Sequence, residues 1–375
     1  MTQPSGAPLV LVTAGGTGGH LFPAEALSVA LAQRGITVDL ATDERATRFG
    51  AKFPARAVHV ISSATLRGRD PISLAKTAGL LAFGFSQSLR LLGRLKPAAV
   101  VGFGGYPTVP PVFAANFRRI PTIIHDANAV IGRANRLLAP RVTAIATSFA
   151  DVLGAETKLA GKTTCVGNPV RPAVVAAAGT PYSVPDHAQT LRLLVFGGSQ
   201  GARILADIVP PAIERLEPGL WNRLSIVQQA REEDMTRVKS AYANLKVTAE
   251  VAPFFPDLPA RIAASHFIIS RAGASTVAEL AAIGRPAILI PLPHALDQDQ
   301  RANATMLEKA GGAIRLDQAE FTPDRLASEI SALAAEPARL AAMARGARSI
   351  GALDAADRLA RLVLEVAGLT GKDSR

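Results

Sequence analysis

Short runs of branched and leucine-rich residues recur along the chain, separated by stretches with helical spacing. Leu9–Thr13, Thr37–Ala41, Val58–Ile61, Ala99–Gly102, Thr122–His125 and Thr143–Ala146 are strand-length and mostly apolar. Continuous apolar strands separated by helices imply a parallel sheet covered on both faces. Pro23–Arg34 is the first crossover helix, with Ala26, Leu27, Ala30 and Leu31 on one face and Gly35 closing it. After Gly167-Asn168-Pro169-Val170-Arg171-Pro172 an Ala-, Gly- and Pro-containing stretch runs to about Thr190, a hinge or linker. The alternation then restarts. Leu191–Phe196, Leu224–Gln228, Lys246–Glu250, His266–Ile269 and Ala287–Ile290 read as strands, with helices at Ala202–Arg215, Thr276–Ala282 and Gln300–Lys309. The pattern predicts an α/β chain of two doubly wound domains in series, 1–171 and 172–349. A last helix is expected at about Ala352–Ala367; its docking surface is not legible, and a return of 350–375 onto the first domain is one placement.

A chain of 375 residues supports two cores of ordinary size. No apolar run approaches the roughly 20 residues that span a bilayer, so any membrane contact is expected to be peripheral. Met1–Pro8 lacks a basic segment leading into a long apolar one, and secretion is not expected. The one cysteine, Cys165, excludes an internal disulfide and a multi-cysteine metal site, which fits a reducing cytoplasm. Charge is more informative. Residues 1–171 carry 19 Lys and Arg against 8 Asp and Glu, and 172–375 carry 22 against 22, so the whole net charge of +11 sits in the first half. A one-sided basic field calls for nucleic acid, an anionic membrane surface or a phosphorylated substrate, unless it is only a solvated face. Nucleic acid fits worst, because aromatics make up 5% of the chain and no basic cluster is interleaved with them for base stacking.

Both domains open with strand, glycine-rich turn and helix. The turns are Gly15-Gly16-Thr17-Gly18-Gly19-His20 and Gly197-Gly198-Ser199-Gln200-Gly201-Ala202-Arg203. Glycines let the backbone approach a ligand, and the free N–H groups of the following helix favour an anion. Tight strand-to-helix packing uses the same residues, and it is the duplication that favours phosphate. A dinucleotide site would need GxGxxG, but the first turn lacks the third glycine in place and only Asp43 stands near the second strand as an acidic partner. No GxxxxGK followed by Ser or Thr occurs, which argues against a P-loop. Further turns at 102–106, 125–128, 167–171 and 270–279 close strands. Ligands of open α/β sheets sit outside the carboxyl ends of strands, so these loops are expected to converge on one cleft between the domains.

The motifs GGTGGH at 15–20, GFGGYP at 102–107, NPVR at 168–171, GGSQGA at 197–202, SRAGASTVAE at 270–279 and QRANA at 300–304 occur in that order. Together, and over nearly the whole chain, they resemble the bacterial MurG family, UDP-N-acetylglucosamine transferases that convert lipid I to lipid II in peptidoglycan synthesis. The resemblance implies a GT-B fold, two Rossmann-like domains facing across a cleft, the first for the acceptor and the second for the nucleotide sugar. It implies no cofactor. On the family pattern Ser199 hydrogen-bonds the diphosphate and Glu279 accepts from the ribose hydroxyls. Arg171, Phe255, the backbone of Ala274, Ser275, Thr276, Val277 and Ala278, and Gln300 match nucleotide-sugar positions. Thr17, Gly18, Gly19 and Asn128 reach the donor from the first domain, and Gly104, Gly105 and Tyr106 form an acceptor loop. From the residues alone Glu279 reads equally as an ordinary helix residue. His125-Asp126-Ala127-Asn128 stands where the family usually shows HEQN, which leaves the roles of that Glu and Gln open here.

The implied reaction carries N-acetylglucosamine from an α-linked UDP-sugar to the MurNAc 4-hydroxyl of undecaprenyl-diphospho-MurNAc-pentapeptide. The anomeric centre inverts, and a single in-line displacement needs a base. His20 is the candidate, since it follows a glycine loop at a strand end and imidazole titrates near neutrality. A hydrogen bond to a backbone group or an acceptor phosphate is its other reading, with His125 and Asp126 in reserve; His59, His187 and His266 carry no motif. Asp297-Gln298-Asp299 has the DxD form but opens a helix, where acidic residues favour the dipole, so capping or sugar contact is expected and no metal. A lipid acceptor calls for a membrane-facing surface. Lys76–Lys96 offers Leu80, Leu81, Phe83 and Phe85, flanked by Arg67, Arg69, Lys76, Arg90, Arg94 and Lys96, and reads equally as a core helix with a solvated basic end. The expected location is peripheral, on the cytoplasmic face of the inner membrane. The competing readings are a UDP-sugar epimerase or other GT-B-like UDP-sugar enzyme, and a non-enzymatic module for anionic lipid.

Overall fold

A computed structural model describes residues 6–44, 53–63, 71–153, 157–186, 189–198 and 201–370. The chain divides into two compact units, Met1–Arg171 with Leu353–Arg375, and Pro172–Ala352.

In the first unit β1 (Leu9–Thr13), β2 (Thr37–Thr42), β3 (Val58–Val60), β4 (Ala99–Gly102), β5 (Thr122–Asp126), β6 (Ala144–Thr147) and β7 (Thr163–Cys165) form one sheet, ordered β3-β2-β1-β4-β5-β6-β7. Every pairing is parallel. The apolar runs are continuous because both faces are covered. Val10 and Val12 turn to a core shared with the helix Gly18–Ala32, while Leu11 and Val100 turn to one beneath Val109–Phe117 and Arg133–Leu138. The first helix starts at Gly18, five residues before the start expected at Pro23. Pro23 has no N–H for the carbonyl of Gly19, and the helix tolerates this near its amino end.

The helix Ala355–Val366 belongs to this unit, not to the one that precedes it in sequence. Its Leu359, Ala360 and Val363 are fully buried in the core that holds Leu27 and Leu31, and Asp357 pairs with Arg34 at 2.8 Å. At the sheet edge Asp39 of β2 is completely buried; Arg56 donates to both its oxygens at 2.9 Å, and His59 of β3 lies 2.9 Å from Oδ2. The helix Pro71–Leu95 lies close to the chain after β3. A side chain at Gly84 would meet Ser62 O at 1.9 Å, so only glycine permits this approach, and Gln87 Oε1 accepts from the Ser62 N–H.

In the second unit β8 (Leu191–Phe196), β9 (Leu224–Gln229), β10 (Thr248–Ala252), β11 (Phe267–Ser270), β12 (Ala287–Leu289) and β13 (Ala313–Arg315) are ordered β10-β9-β8-β11-β12-β13, again all parallel. Leu193, Val195, Ile269 and Ile288 pack with Leu205 and Val209 of the helix Arg203–Glu214 and Leu326 and Ile330 of Pro323–Ala335. β10 starts two residues later than expected, because Lys246 turns at φ +56°. The order of each sheet reverses at one place, between β1 and β4 and between β8 and β11. There the loops after adjacent strands diverge and leave room for a ligand. No helix among the described residues is long and apolar enough to cross a membrane.

Candidate active site

The first unit brings two glycine loops together at its switch point. The Gly15 N–H donates to Gly104 O at 3.1 Å, the Phe103 N–H donates to Thr13 O at 2.8 Å, and Thr108 Oγ1 donates to Gly104 O at 2.7 Å. His20, in the first turn of the helix Gly18–Ala32, lies against both loops. A side-chain carbon at Gly15 would sit 3.1 Å from His20 Nδ1, at Gly104 3.3 Å from Nε2, and at Gly105 3.4 Å from Cε1. Gly104 and Gly105 also hold φ of +87° and +76°, which other residues rarely adopt. These glycines therefore form the walls of an imidazole socket. Thr17 Oγ1 lies 3.0 Å from Nδ1 and does not cap the helix. When Nδ1–H donates to Thr17, the ring lone pair is on Nε2, the tautomer a base requires. Tyr106 opens a short 3-10 turn and is half-buried.

The neighbouring loop after β5 is built by His125 and Asp126. His125 is fully buried; its Nε2–H donates to Gly167 O at 3.0 Å, its ring packs against Phe103 at 5.4 Å, and its Nδ1 has no partner among the described residues. Burial holds its pKa down to about 4 against the opposing effect of the Gly167 bond, so the ring is neutral at physiological pH. With its proton committed and no exposure, it is a poor general base. Asp126 Oδ1 accepts from the Asn128 N–H at 3.1 Å, and Oδ2 from the Gly132 N–H at 2.8 Å and Asn135 Nδ2 at 3.0 Å. Burial pushes this carboxyl up, and the bonds oppose it. Asp126 thus folds the loop that presents Asn128. Arg171 stacks over the Phe22 ring at 3.9 Å.

In the second unit the turn after β8 needs its glycines for room: a carbon at Gly197 would meet Ala202 N at 2.3 Å, and Gly198 and Gly201 hold φ of +87° and +66°. Ser199 and Gln200 lie outside the described residues. The helices Arg203–Glu214 and Ala274–Ile283, which follow the switch-point strands, begin with no side-chain cap and no acidic residue in the first turn. Pro323–Ala335, elsewhere in the unit, has both Thr322 as cap and Asp324. The positive dipole end of such a helix favours an anion. In the first turn of Ala274–Ile283 the Ser275 hydroxyl is buried without a partner among the described residues. Ala274, Thr276 and Ala278 are partly exposed, Val277 faces the core, and Glu279 is 5% exposed. Gln300 Oε1 accepts from the N–H of Ala272 at 3.3 Å and of Leu292 at 3.1 Å, tying the loops after β11 and β12 together. Asn303 Nδ2 donates to Ala272 O at 3.2 Å.

Phe255 is buried and its ring is covered by Arg261 at 4.4 Å, whereas Phe254 beside it is 63% exposed. Asp297 and Gln298 hold φ of +59° and +55°, a strained approach to the helix Asp299–Lys309, and Asp299 Oδ1 accepts from the Gln300 N–H at 2.7 Å. Burial raises the Asp299 carboxyl. Asp299 stands in the first turn of that helix, whose amino end has no side-chain cap, and no cluster of three metal-type side chains occurs among the described residues.

On the helix Pro71–Leu95, Leu80 and Phe83 are exposed, at 47% and 54%. Leu81 and Phe85 are half-buried, Phe85 packing on the core and edge-on to Phe117, whose own exposure is 74%. The exposed apolar surface is therefore Leu80, Phe83 and Phe117, the last not recognised from the pattern. Lys76, Arg90, Arg94, Lys96, Arg118 and Arg119 are exposed on the same segments, while Arg67 and Arg69 lie outside the described residues.

Residues 10–147 match the glycosyltransferase family 28 N-terminal domain and 192–359 its C-terminal domain. The UDP-N-acetylglucosamine--N-acetylmuramyl-(pentapeptide) pyrophosphoryl-undecaprenol N-acetylglucosamine transferase of Rhodopseudomonas palustris (strain BisA53) is 61% identical over 98% of both chains. That of Bradyrhizobium sp. (strain BTAi1) is 62% identical over 97% of this chain and all of the relative. The crystal structure of Acinetobacter baumannii MurG superposes with a TM-score of 0.76 at 27% identity, covering 96% of this chain and 99% of that one. The chain belongs to the MurG family. Its fold is GT-B. A UDP-N-acetylglucosamine 2-epimerase from Neisseria meningitidis shares that fold at 15% identity and a TM-score of 0.66, over 95% of this chain and all of its own, and extends the likeness no further than the fold. Within the MurG family frame, the roles of Asp126 in folding the 127–132 loop and of the glycines around His20 are packing features, invisible to a motif read one residue at a time.

Proposed function

We propose that this protein transfers N-acetylglucosamine from UDP-N-acetylglucosamine to the MurNAc 4-hydroxyl of undecaprenyl-diphospho-MurNAc-pentapeptide, with inversion. The observation that carries this reading is identity near 60% to transferases of that name, along essentially the whole of both chains. The first unit takes the acceptor and supplies the base. The hydroxyl oxygen attacks the anomeric carbon, the bond from that carbon to the UDP oxygen breaks, the hydroxyl proton passes to His20 Nε2, and UDP departs. Gly104, Gly105 and Tyr106 lie on the acceptor side, with Thr17 orienting the imidazole; Gly18, Gly19 and Asn128 border the same loops.

The second unit takes the donor. The uncapped amino ends of Arg203–Glu214 and Ala274–Ile283, with Ser199 and the Ser275 hydroxyl, receive the diphosphate in place of a metal. Glu279 accepts from the ribose, and Gln300 and Arg171 complete the nucleotide-sugar contacts. Phe255 contributes through the wall it forms under Arg261. The basic first unit docks on the anionic cytoplasmic surface of the inner membrane through Leu80, Phe83 and Phe117 and the surrounding cations. Nucleic acid is not a partner in this reading.

Incubation with radiolabelled UDP-N-acetylglucosamine and a lipid I analogue tests the reaction. Label is expected in the lipid fraction only when the acceptor is present; release of free sugar or epimer at the same rate without acceptor overturns the reading. Donor placement is tested by Glu279→Ala, expected to weaken UDP binding in calorimetry by about 1–3 kcal/mol.

A further inference from the structure

The candidate donor loops occupy the carboxyl ends of the second unit's strands. At the amino ends lies a cavity of about 440 Å3 that none of those loops lines. Its walls come from the chain at 178–184, the turn Ile283-Gly284-Arg285 ahead of β12, and the helix Pro337–Ser349.

Three lining side chains are arginines. Arg285 is 1% exposed and donates to five backbone carbonyls, those of Ala263, Ile283, Gly284, Thr180 and Pro181. Arg348 donates to the carbonyls of Ala178 and Ala282. Arg345 is exposed at the mouth and makes no hydrogen bond or ion pair among the described residues. A fourth guanidinium, Arg192, lies near enough to act on Arg285, although burial is the larger influence there.

None of these four pairs with a carboxylate among the described residues. Elsewhere in the unit Arg215, Arg237, Arg261 and Arg315 do, whereas Arg223 and Arg271 also rest on carbonyls or an amide, so it is the gathering of such arginines around one cavity that is particular. Residues 172–375 carry equal numbers of acidic and basic side chains, so the cavity concentrates positive charge in a half that has none to spare. The carbonyls hold Arg285 and Arg348 in place without neutralising them. A buried cation without a counter-ion is costly, and an anion in the cavity relieves that cost. The N–H groups of Arg285 are taken up by these carbonyls, so it contributes charge, while the exposed Arg348 and Arg345 keep N–H groups for phosphate oxygens. Tyr182, stacked 5.4 Å from Arg285, with Val184 and Ile283, adds an apolar wall. The volume falls in the range of small-molecule sites, roughly 300–1,000 Å3.

We propose that this cavity is a second ligand site, for a small phosphorylated molecule, separate from the donor loops. The helix Ala274–Ile283 spans the two: its amino end is at the donor loop and its carboxyl end at the cavity, about 15 Å apart by helix rise.

The test is calorimetric titration of inorganic pyrophosphate into the full-length protein at low salt, with UDP first added to saturation so that the donor loops are filled. One equivalent of pyrophosphate is expected to bind, with affinity reduced about tenfold or more by Arg345→Glu and unchanged by the same reversal at the exposed Lys239. An unchanged circular-dichroism spectrum and melting temperature of Arg345→Glu verify its fold. Absence of binding up to about 10 mM pyrophosphate, or equal binding by Arg345→Glu and wild type, overturns the proposal. Failure of UDP to bind in the first step counts against the donor reading alone, since the dependence of pyrophosphate binding on Arg345 is read in either case.

Discussion

Replacing His125 by Gln keeps an N–H for Gly167 O and removes the titrating ring. In the unfolded chain His125 takes up a proton near pH 6.5, its ordinary value, and in the folded chain only at about 4. Between these values the unfolded state binds the proton first, so acid favours unfolding; above about pH 6.5 the contribution is constant. A gap of this size removes about 2 kcal/mol from the first unit between about pH 7 and about pH 5. His266 is likewise held down to about 4, chiefly by burial, so wild type alone cannot separate the two sites. The difference between wild type and His125→Gln can. Trp221, the one tryptophan, lies in the other unit, so its fluorescence reports on the wrong one. Hydrogen exchange of β5 and β6 amides measures the relevant stability, and labelled-histidine NMR reads the pKa directly. Wild type is expected to lose about 2 kcal/mol relative to the variant over that interval. Parallel loss in both proteins, or a ring that titrates above about pH 6, refutes the assignment of His125 as a buried, neutral tie between β5 and Gly167.

Thr17→Val removes the partner of His20 Nδ1 and is expected to lower kcat about tenfold or more and shift the acidic limb of the pH–rate profile, with UDP affinity unchanged in calorimetry. Gln300→Leu leaves the Ala272 and Leu292 N–H groups unmet and is expected to raise the donor KM, whereas Gln300→Glu, which keeps the acceptor, restores much of it. Arg56→Ala strips Asp39 of its twofold partner and is expected to cost about 2 kcal/mol by urea unfolding of the first unit. Burial alone would raise the Asp39 carboxyl, but Arg56 and His59 outweigh it and hold it below the usual range, so this contribution is complete above the ordinary carboxylate pKa and fades as pH falls through the lowered value. Leu80→Ser with Phe83→Ser is expected to weaken binding to anionic vesicles by about 2–3 kcal/mol while sparing turnover of a short-chain, water-soluble acceptor, and sedimentation with vesicles measures it.

Three of the four strands next to the switch points were legible residue for residue from their mostly apolar runs, Leu9–Thr13, Ala99–Gly102 and Leu191–Phe196, and β11 begins one residue later than expected. β7 and β13 were not legible: Thr163–Cys165 is polar and Ala313–Arg315 holds a single branched apolar residue, whereas the equally short β3 carries two valines followed by Ile61. The glycine loops could be located, but not what the glycines face. That Gly15, Gly104 and Gly105 enclose one imidazole depends on parallel pairing of β1 with β4, strands nearly ninety positions apart. Arg285 gave no signal, because its partners are backbone carbonyls, which every residue carries. Lys76–Lys96 read as either core or membrane surface; Leu91 and Leu92 are buried, whereas Leu80 and Phe83 are exposed, a division that the apolar pattern alone does not carry.

The helix Ala355–Val366 gives biosynthesis a fixed order. The ribosome delivers β1–β7 first, then all of residues 172–352, and only afterwards the segment whose Leu359, Ala360 and Val363 close the core around Leu27 and Leu31. Until then the nascent first unit shows an open apolar face through the entire translation of the second. The second unit is contiguous and can complete itself earlier. A ribosome-stalled or nonsense-truncated chain ending near 352 is accordingly expected to contain one finished unit and one that recruits chaperones or is degraded, and a separately supplied 353–375 peptide is the minimal piece that could rescue it.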